Sequence, residues 1–208
     1  MIPHALCRRW RDFPARLGRD DRAAQILEFA LALPLLVVFV VGIFDFSGAF
    51  TLKQKLTNVA RDAARAAAAD PASDLTAPQT SVPISVGDAA QIVDNYLVVN
   101  KLSDCGLDPN TASPSGLTWT YSATTGCPAP GLTLVVNRGY YFAASNTGQP
   151  ASLTCTPQSA GAATAVIATC VSIQYPYQWR FGRVNALLGG STALPTRISA
   201  AAVAMNEN

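Results

Sequence analysis

Histidine is nearly missing. The chain of 208 residues holds one, His4. It precedes the long apolar run, so the larger C-terminal part has no imidazole for a Ser-His-Asp arrangement or a metal site. Charge is scarce as well, at 13% of residues for a net of +2. From residue 71 onward five bases (Lys101, Arg138, Arg180, Arg183, Arg197) face six acids, all scattered singly. A nucleic-acid surface needs clustered bases, and that class is excluded. No phosphate-cradling glycine loop is present either: GRVNALLGG at residues 182–190 lacks the Lys-Ser/Thr ending. Asp104 beside Cys105, with Asp108 just after, reads as loop and cap residues more readily than as a carboxylate site. No internal repeat is visible. The expectation is a non-enzymatic protein without cofactor or metal.

What is present is oil, and it is concentrated in one place. Half the residues are hydrophobic, and mean hydropathy is positive. Residues 29–44, FALALPLLVVFVVGIF, carry much of the excess without a single charge. As a helix they cover roughly 24 Å, and extension to residues 26–50 reaches across the ~30 Å hydrocarbon core. Glu28 and Asp45 then lie near its two edges. That position avoids most of the cost of about 2.5–3.5 kcal/mol for an acid at the bilayer centre. Six arginines precede the run, against Lys53, Lys55, Arg61 and Arg65 after it, a bias that favours a cytoplasmic N-terminus. A secretory signal cleaved before Phe50, at SGAF, is the competing reading. Asp45 inside the cleavage region and a helical pattern that continues past it speak against that. Pro34 interrupts the run and deprives the Ala30 carbonyl of its usual donor. It predicts a kink, or a weak point that yields when helices repack.

Beyond the run, Leu52, Leu56, Val59, Ala63 and Ala67 recur at helical spacing. Alanine favours helix and Pro71 ends it. The pattern predicts one helix over residues 24–69, about 69 Å long, of which the bilayer uses less than half. Residues 70–84 form a loop rich in Pro, Ser and Thr. A second helix follows over residues 86–102, with Asp88 as N-cap and Ile92, Val93, Tyr96, Leu97 and Val99 on its buried side. Strand signals then take over: residues 117–122, two short runs within 132–143 joined by a hairpin or bulge at 137–139, the β-branched run 165–179, and a closing strand over 196–205. The cluster YPYQWRF (175–181) offers aromatics beside Arg180, a binding surface for polysaccharide or protein; strand residues with a turn at Pro176 are the plainer account.

Cysteine divides one and four. Cys7 precedes the run, and Cys105, Cys127, Cys155 and Cys170 follow it. An even set beyond a membrane fits an oxidising compartment. Three pairings exist. The sequential one, Cys105 with Cys127 and Cys155 with Cys170, closes two short loops and is the expected one; four free buried cysteines are the alternative. The fold class expected is α+β. A basic cytoplasmic leader (1–23), a transmembrane helix (24–50) and its amphipathic extension (51–70) precede a domain beyond the membrane (71–208) built on a small antiparallel sheet.

The tract RAAQILEFALALPLL, the pair Asp45 and Phe46, and LTNVARDAAR resemble the TadE-like family, pseudopilin-like proteins of the tight-adherence (Flp) pilus system. The resemblance spans residues 22–67 and implies a pilin-like plan for the α+β fold, with residues 71–208 as a periplasmic domain. It implies a part in pilus assembly at the bacterial inner membrane, with other pilin-like subunits, the assembly machinery and the lipid bilayer as partners, and a place in the membrane or in the surface pilus. It also implies a prepilin peptidase, cutting between Ala23 and Ala24 and leaving Glu28 as the fifth residue. Ala23 stands where the family usually has glycine.

Glu28 carries three readings. It marks the membrane edge, favoured by the helix macrodipole by about 0.3–1 kcal/mol. Or, with Pro34, it registers one helix against the next by accepting a charge-assisted hydrogen bond from a neighbour's amine, because a buried carboxylate is satisfied only at the correct stagger. Or it is a catalytic acid, a role that wants a positioned partner absent here. The rival to the pilus role is a membrane-anchored or secreted periplasmic binding module unrelated to pili.

Overall fold

An alanine-rich tract with apolar residues every third or fourth position needs a surface to lie on, and in the computed structural model it has one. The structure describes residues 21–71, 73, 81–143, 155–156, 165–180 and 194–207. Helix α1, Asp21–Ala69, runs unbroken for 49 residues through Pro34. In its second half Leu52, Leu56, Val59, Ala63 and Ala67 are all buried, as their spacing predicts. Helix α2, Ile84–Val99, packs beside that half.

Five strands follow: β1 Ser113–Ser115, β2 Thr118–Ala123, β3 Leu132–Ala143, β4 Ala165–Pro176 and β5 Arg197–Met205. They form one antiparallel sheet in chain order, β1-β2-β3-β4-β5. Successive side chains of a strand point to opposite faces. Val171 and Ile173 of β4 and Ala200 and Ala202 of β5 thus join the helices in the main core. Cys170 and Ala201 face the other way, into a small cluster with Tyr140 and Cys155. Where α1 crosses β5, both surfaces are alanine: Ala60, Ala63, Ala64 and Ala67 against Ala200 and Ala202. Small side chains let helix and strand approach closely, and bulk enters the core from Leu56, Leu97, Trp119 and Tyr121 instead. The fold is α+β, a long apolar helix packed on a small antiparallel sheet.

Several local expectations change. Helix α2 starts two residues early, with Pro83 at the N-cap position. Pro83 O accepts from the amides of Val86 and Gly87, so Asp88 lies inside the helix and caps nothing. Val99 is 79% exposed because the helix ends there; Val86, Ala89, Ala90, Val93 and Leu97 make the buried stripe. Residues 132–143 are one strand with a bulge, since Asn137 pairs with Cys170 but Tyr140 with Ala168. Gly139 leaves room in it for Leu117: a Cβ there would come within 2.7 Å of Leu117 Cδ1 and push that side chain aside. Pro176 ends β4 opposite Arg197 instead of making a turn. Strand β1, of sequence Ser-Pro-Ser, carries no pattern that announces it.

Candidate membrane and assembly interface

The first half of α1 is bare. Among the described residues one helix is long and apolar enough to cross a membrane, and it lies near the N-terminus. From Ile26 to Phe44 its large apolar side chains stand exposed or only partly covered. Residues 25–44 rise about 30 Å, the thickness of a hydrocarbon core. Glu28 and Pro34 are both exposed on this segment. Glu28 meets no hydrogen-bond or ionic partner among the described residues. Ala23 and Ala24 lie in the helix's first turn.

The bare stretch ends where the head takes hold. Asp45 is 5% exposed. The Tyr177 hydroxyl donates to Asp45 O at 3.1 Å and reaches its Oδ1 at 3.3 Å. Tyr177 follows β4 directly, and its amide donates to Thr196 O across the β4–β5 end. Its phenol is held above the usual tyrosine range, chiefly by burial, then by the charge and hydrogen bond of Asp45, with Arg180 opposing. Gly48, one turn along, keeps the contact open: a Cβ there would stand 3.2 Å from Tyr177 Oη. Trp179 completes the grip. Its ring meets Phe46 edge-on at 5.3 Å and Tyr177 at 5.0 Å, and its Nε1 donates to Pro195 O. Further up, the Lys53 ammonium donates to Ser199 O of β5, and burial pulls its pKa down.

The far end of α1 is secured by a buried cation. Arg138 is 1% exposed. The bulge turns it toward the helix terminus, where Nη2 donates to Asp70 O at 3.0 Å and Nη1 to Thr169 Oγ1 at 3.2 Å. Thr169 in turn donates to Asn206 Oδ1 at 2.7 Å, and Asn206 Nδ2 donates to Arg138 O. A cation at a helix C-terminus meets the negative end of the macrodipole. The chain's last residues thereby close onto the end of the helix, with Glu207 N donating to Ala68 O.

Both disulfides are present and both are sequential. Cys105 bonds to Cys127, tying the loop after α2 to the β2–β3 turn. Cys155 bonds to Cys170 on β4, and its carbonyl accepts from Asn137 Nδ2 in the bulge. Asp108 Oδ1 accepts from Asn110 N, so it caps a turn. Asp104 lies beside Asp94, whose carboxyl is pushed up by burial and then by Asp104.

Among the described residues α1 thus presents an exposed apolar rod with a carboxylate, Glu28, near its start, and a clamp where it meets the head. Residues 23–65 match the family model of TadE-like proteins. The match bears out the resemblance seen in the sequence, and it falls on the rod. It takes in Glu28, Pro34, Asp45 and the first part of the packed half, and stops before α2 and the sheet. Searches of curated proteins and of solved structures return no match. Of the residues that build the clamp, Asp45 and Phe46 lie within the TadE-like segment; Tyr177 and Trp179 lie outside it. Sequence reasoning marked YPYQWRF as an aromatic cluster but did not connect it with Asp45, and it passed over Arg138. The signals available were the Asn-Arg-Gly bulge and a lone charge in an otherwise uncharged strand.

Proposed function

We propose that this chain is a non-enzymatic, pseudopilin-like component of tight-adherence (Flp) pilus assembly. Residues 25–44 anchor it in the inner membrane, with the N-terminus cytoplasmic and the disulfide-bonded head periplasmic. The observation that carries the reading is the bare TadE-like rod, continuous along one helix with a half that is held to the head at Asp45 and at Arg138. Such a rod joins the membrane segment to the head without an intervening linker. Lateral association of rods buries the Leu, Val and Phe surface against neighbours, and Glu28 selects the stagger by meeting a neighbour's basic group. Pro34 gives the rod a place to yield as rods repack. Processing between Ala23 and Ala24 would place a new α-amine four residues from Glu28 and supply that basic group.

Cleavage before Phe50 fits poorly with this architecture, because it would cut α1 just past the Asp45 and Phe46 contacts and discard one side of the clamp. The test is Glu28→Gln and Glu28→Ala in the native strain. The expected outcome is unchanged membrane insertion with pili reduced or lost. A membrane-anchored binding module unrelated to pili predicts normal pili in both variants. N-terminal sequencing of envelope protein reads processing in parallel, a start at Ala24 marking the peptidase cut.

A further inference from the structure

The collar where α1 enters the head has a use that the clamp alone does not require. Phe46 is 60% and Phe50 65% exposed, while the head covers another side of the helix at Asp45 and Ala49. Phe39, Ile43, Phe46 and Phe50 follow one another at spacings of three and four, forming one exposed stripe that continues from the bare segment into the head. Trp179 lies edge-on against Phe46 in that stripe, with Tyr177 behind it and exposed Arg180 next in the chain.

Heights along the helix decide what covers this surface. Phe46 lies about 3 Å and Phe50 about 9 Å above Phe44, the end of the uncharged run. The polar layers of a bilayer add roughly 5–8 Å on each side of the hydrocarbon. Phe46 and the Trp179 ring thus fall inside the headgroup layer; the Phe50 backbone lies just beyond it, with its side chain tilted back toward the bilayer, as helical side chains tilt toward the N-terminus. Trp and Tyr favour that layer because one part of each ring system is apolar and the other can hydrogen-bond.

We propose that the collar of Phe46, Phe50 and Trp179 is a seat for the lipid headgroup layer, so that the head rests on the membrane surface. Trp179 and Phe46 lie at the acyl boundary, and Arg180 is placed to meet lipid phosphate. The seat fixes the depth and tilt of the rod, and with them the height of Glu28 in the opposite leaflet. It rests on the reading that residues 25–44 span the bilayer.

The test uses the full chain in phosphatidylcholine–phosphatidylglycerol vesicles whose chains carry bromine either near the headgroup or near the chain ends. Trp10→Phe leaves Trp119, buried in the core, and Trp179 as the emitting rings. Shallow bromine is expected to quench the Trp179 share severalfold more than deep bromine. The loss should disappear when Trp179→Phe is added, a substitution that keeps an aromatic ring in place. Resistance to carbonate extraction is measured on the same vesicles. Retained protein without quenching overturns the seat and leaves the span standing; release into carbonate overturns both. Quenching that vanishes as the protein-to-lipid ratio rises would put a second copy on the collar in place of lipid, and would also overturn the proposal.

Discussion

Replacing Arg138 with methionine sets two opposing effects against each other. Taking a guanidinium out of water costs several kcal/mol, so an apolar substitute of similar length recovers that desolvation penalty. Against it stand the interactions lost. The bond to Asp70 O is made by a charged donor to a helix-terminal carbonyl, and bonds to charged groups contribute about 1.5–3 kcal/mol each. The bond to Thr169 Oγ1 is a second of that kind. The macrodipole adds up to about 2 kcal/mol in partly buried geometry. Thr169 and Asn206 would also be left in a site arranged around a cation, and an unsatisfied buried group costs about 1–3 kcal/mol. The losses exceed the recovered penalty, and Arg138→Met is expected to destabilise the head by about 3 kcal/mol. Arg138→Lys keeps the charge but not the planar fork that reaches two acceptors, and should fall between. The measurement is urea unfolding of the full chain in micelles, followed by far-ultraviolet circular dichroism at matched slope. Amide exchange at residues 66–70 reports on the helix end directly. Wild-type stability in Arg138→Met, with unchanged exchange there, would refute the reasoning and show that desolvation dominates at this site.

Leu56→Ala, at the centre of the helix–sheet core, should cost about 2–5 kcal/mol in the same unfolding assay, whereas Leu35→Ala on the bare rod should leave the head's stability unchanged. Changing Cys155 and Cys170 together to serine opens a link with a sequence separation of 15 and is expected to cost about 3 kcal/mol; mass spectrometry of thiol-alkylated wild type should find all four downstream cysteines blocked. Alkaline pH should unfold the head early. The Tyr121 phenol is pushed up, first by burial and then by Asp108, and it donates to Pro109 O and Val86 O. Its folded pKa lies above the unfolded value, so the contribution is complete below about pH 10 and declines as pH rises from there toward the folded pKa. Tyr121→Phe should lower stability at neutral pH yet flatten the decline above pH 10, and an unchanged alkaline slope would count against the assignment.

Much of this architecture is written in local pattern. A run without charge bracketed by Glu28 and Asp45, and then Leu52, Leu56, Val59, Ala63 and Ala67 at helical spacing, define α1, because periodicity reports which side of a helix must leave water. Alternation and β-branching locate β2, β4 and β5 for the corresponding reason. End effects are weaker signals. Asp88 has the side chain of a cap, but Pro83 precedes it and starts the helix first; Val99 is apolar, but lies at a terminus with nothing opposite it.

Partners are another matter. Asp45 looks like a membrane-edge carboxylate, and only the packing of the β4–β5 end beside α1 shows that it is enclosed by a tyrosine 132 residues away. Arg138 is a charge in a strand until the bulge aims it at a helix terminus 68 residues earlier. The chain's own pattern decided which segments are helix, which are strand and which surface is oily, since those follow from neighbours a few residues apart. The tertiary structure decided where the bare rod ends and what grips it, since burial of a polar group depends on elements that meet only after folding.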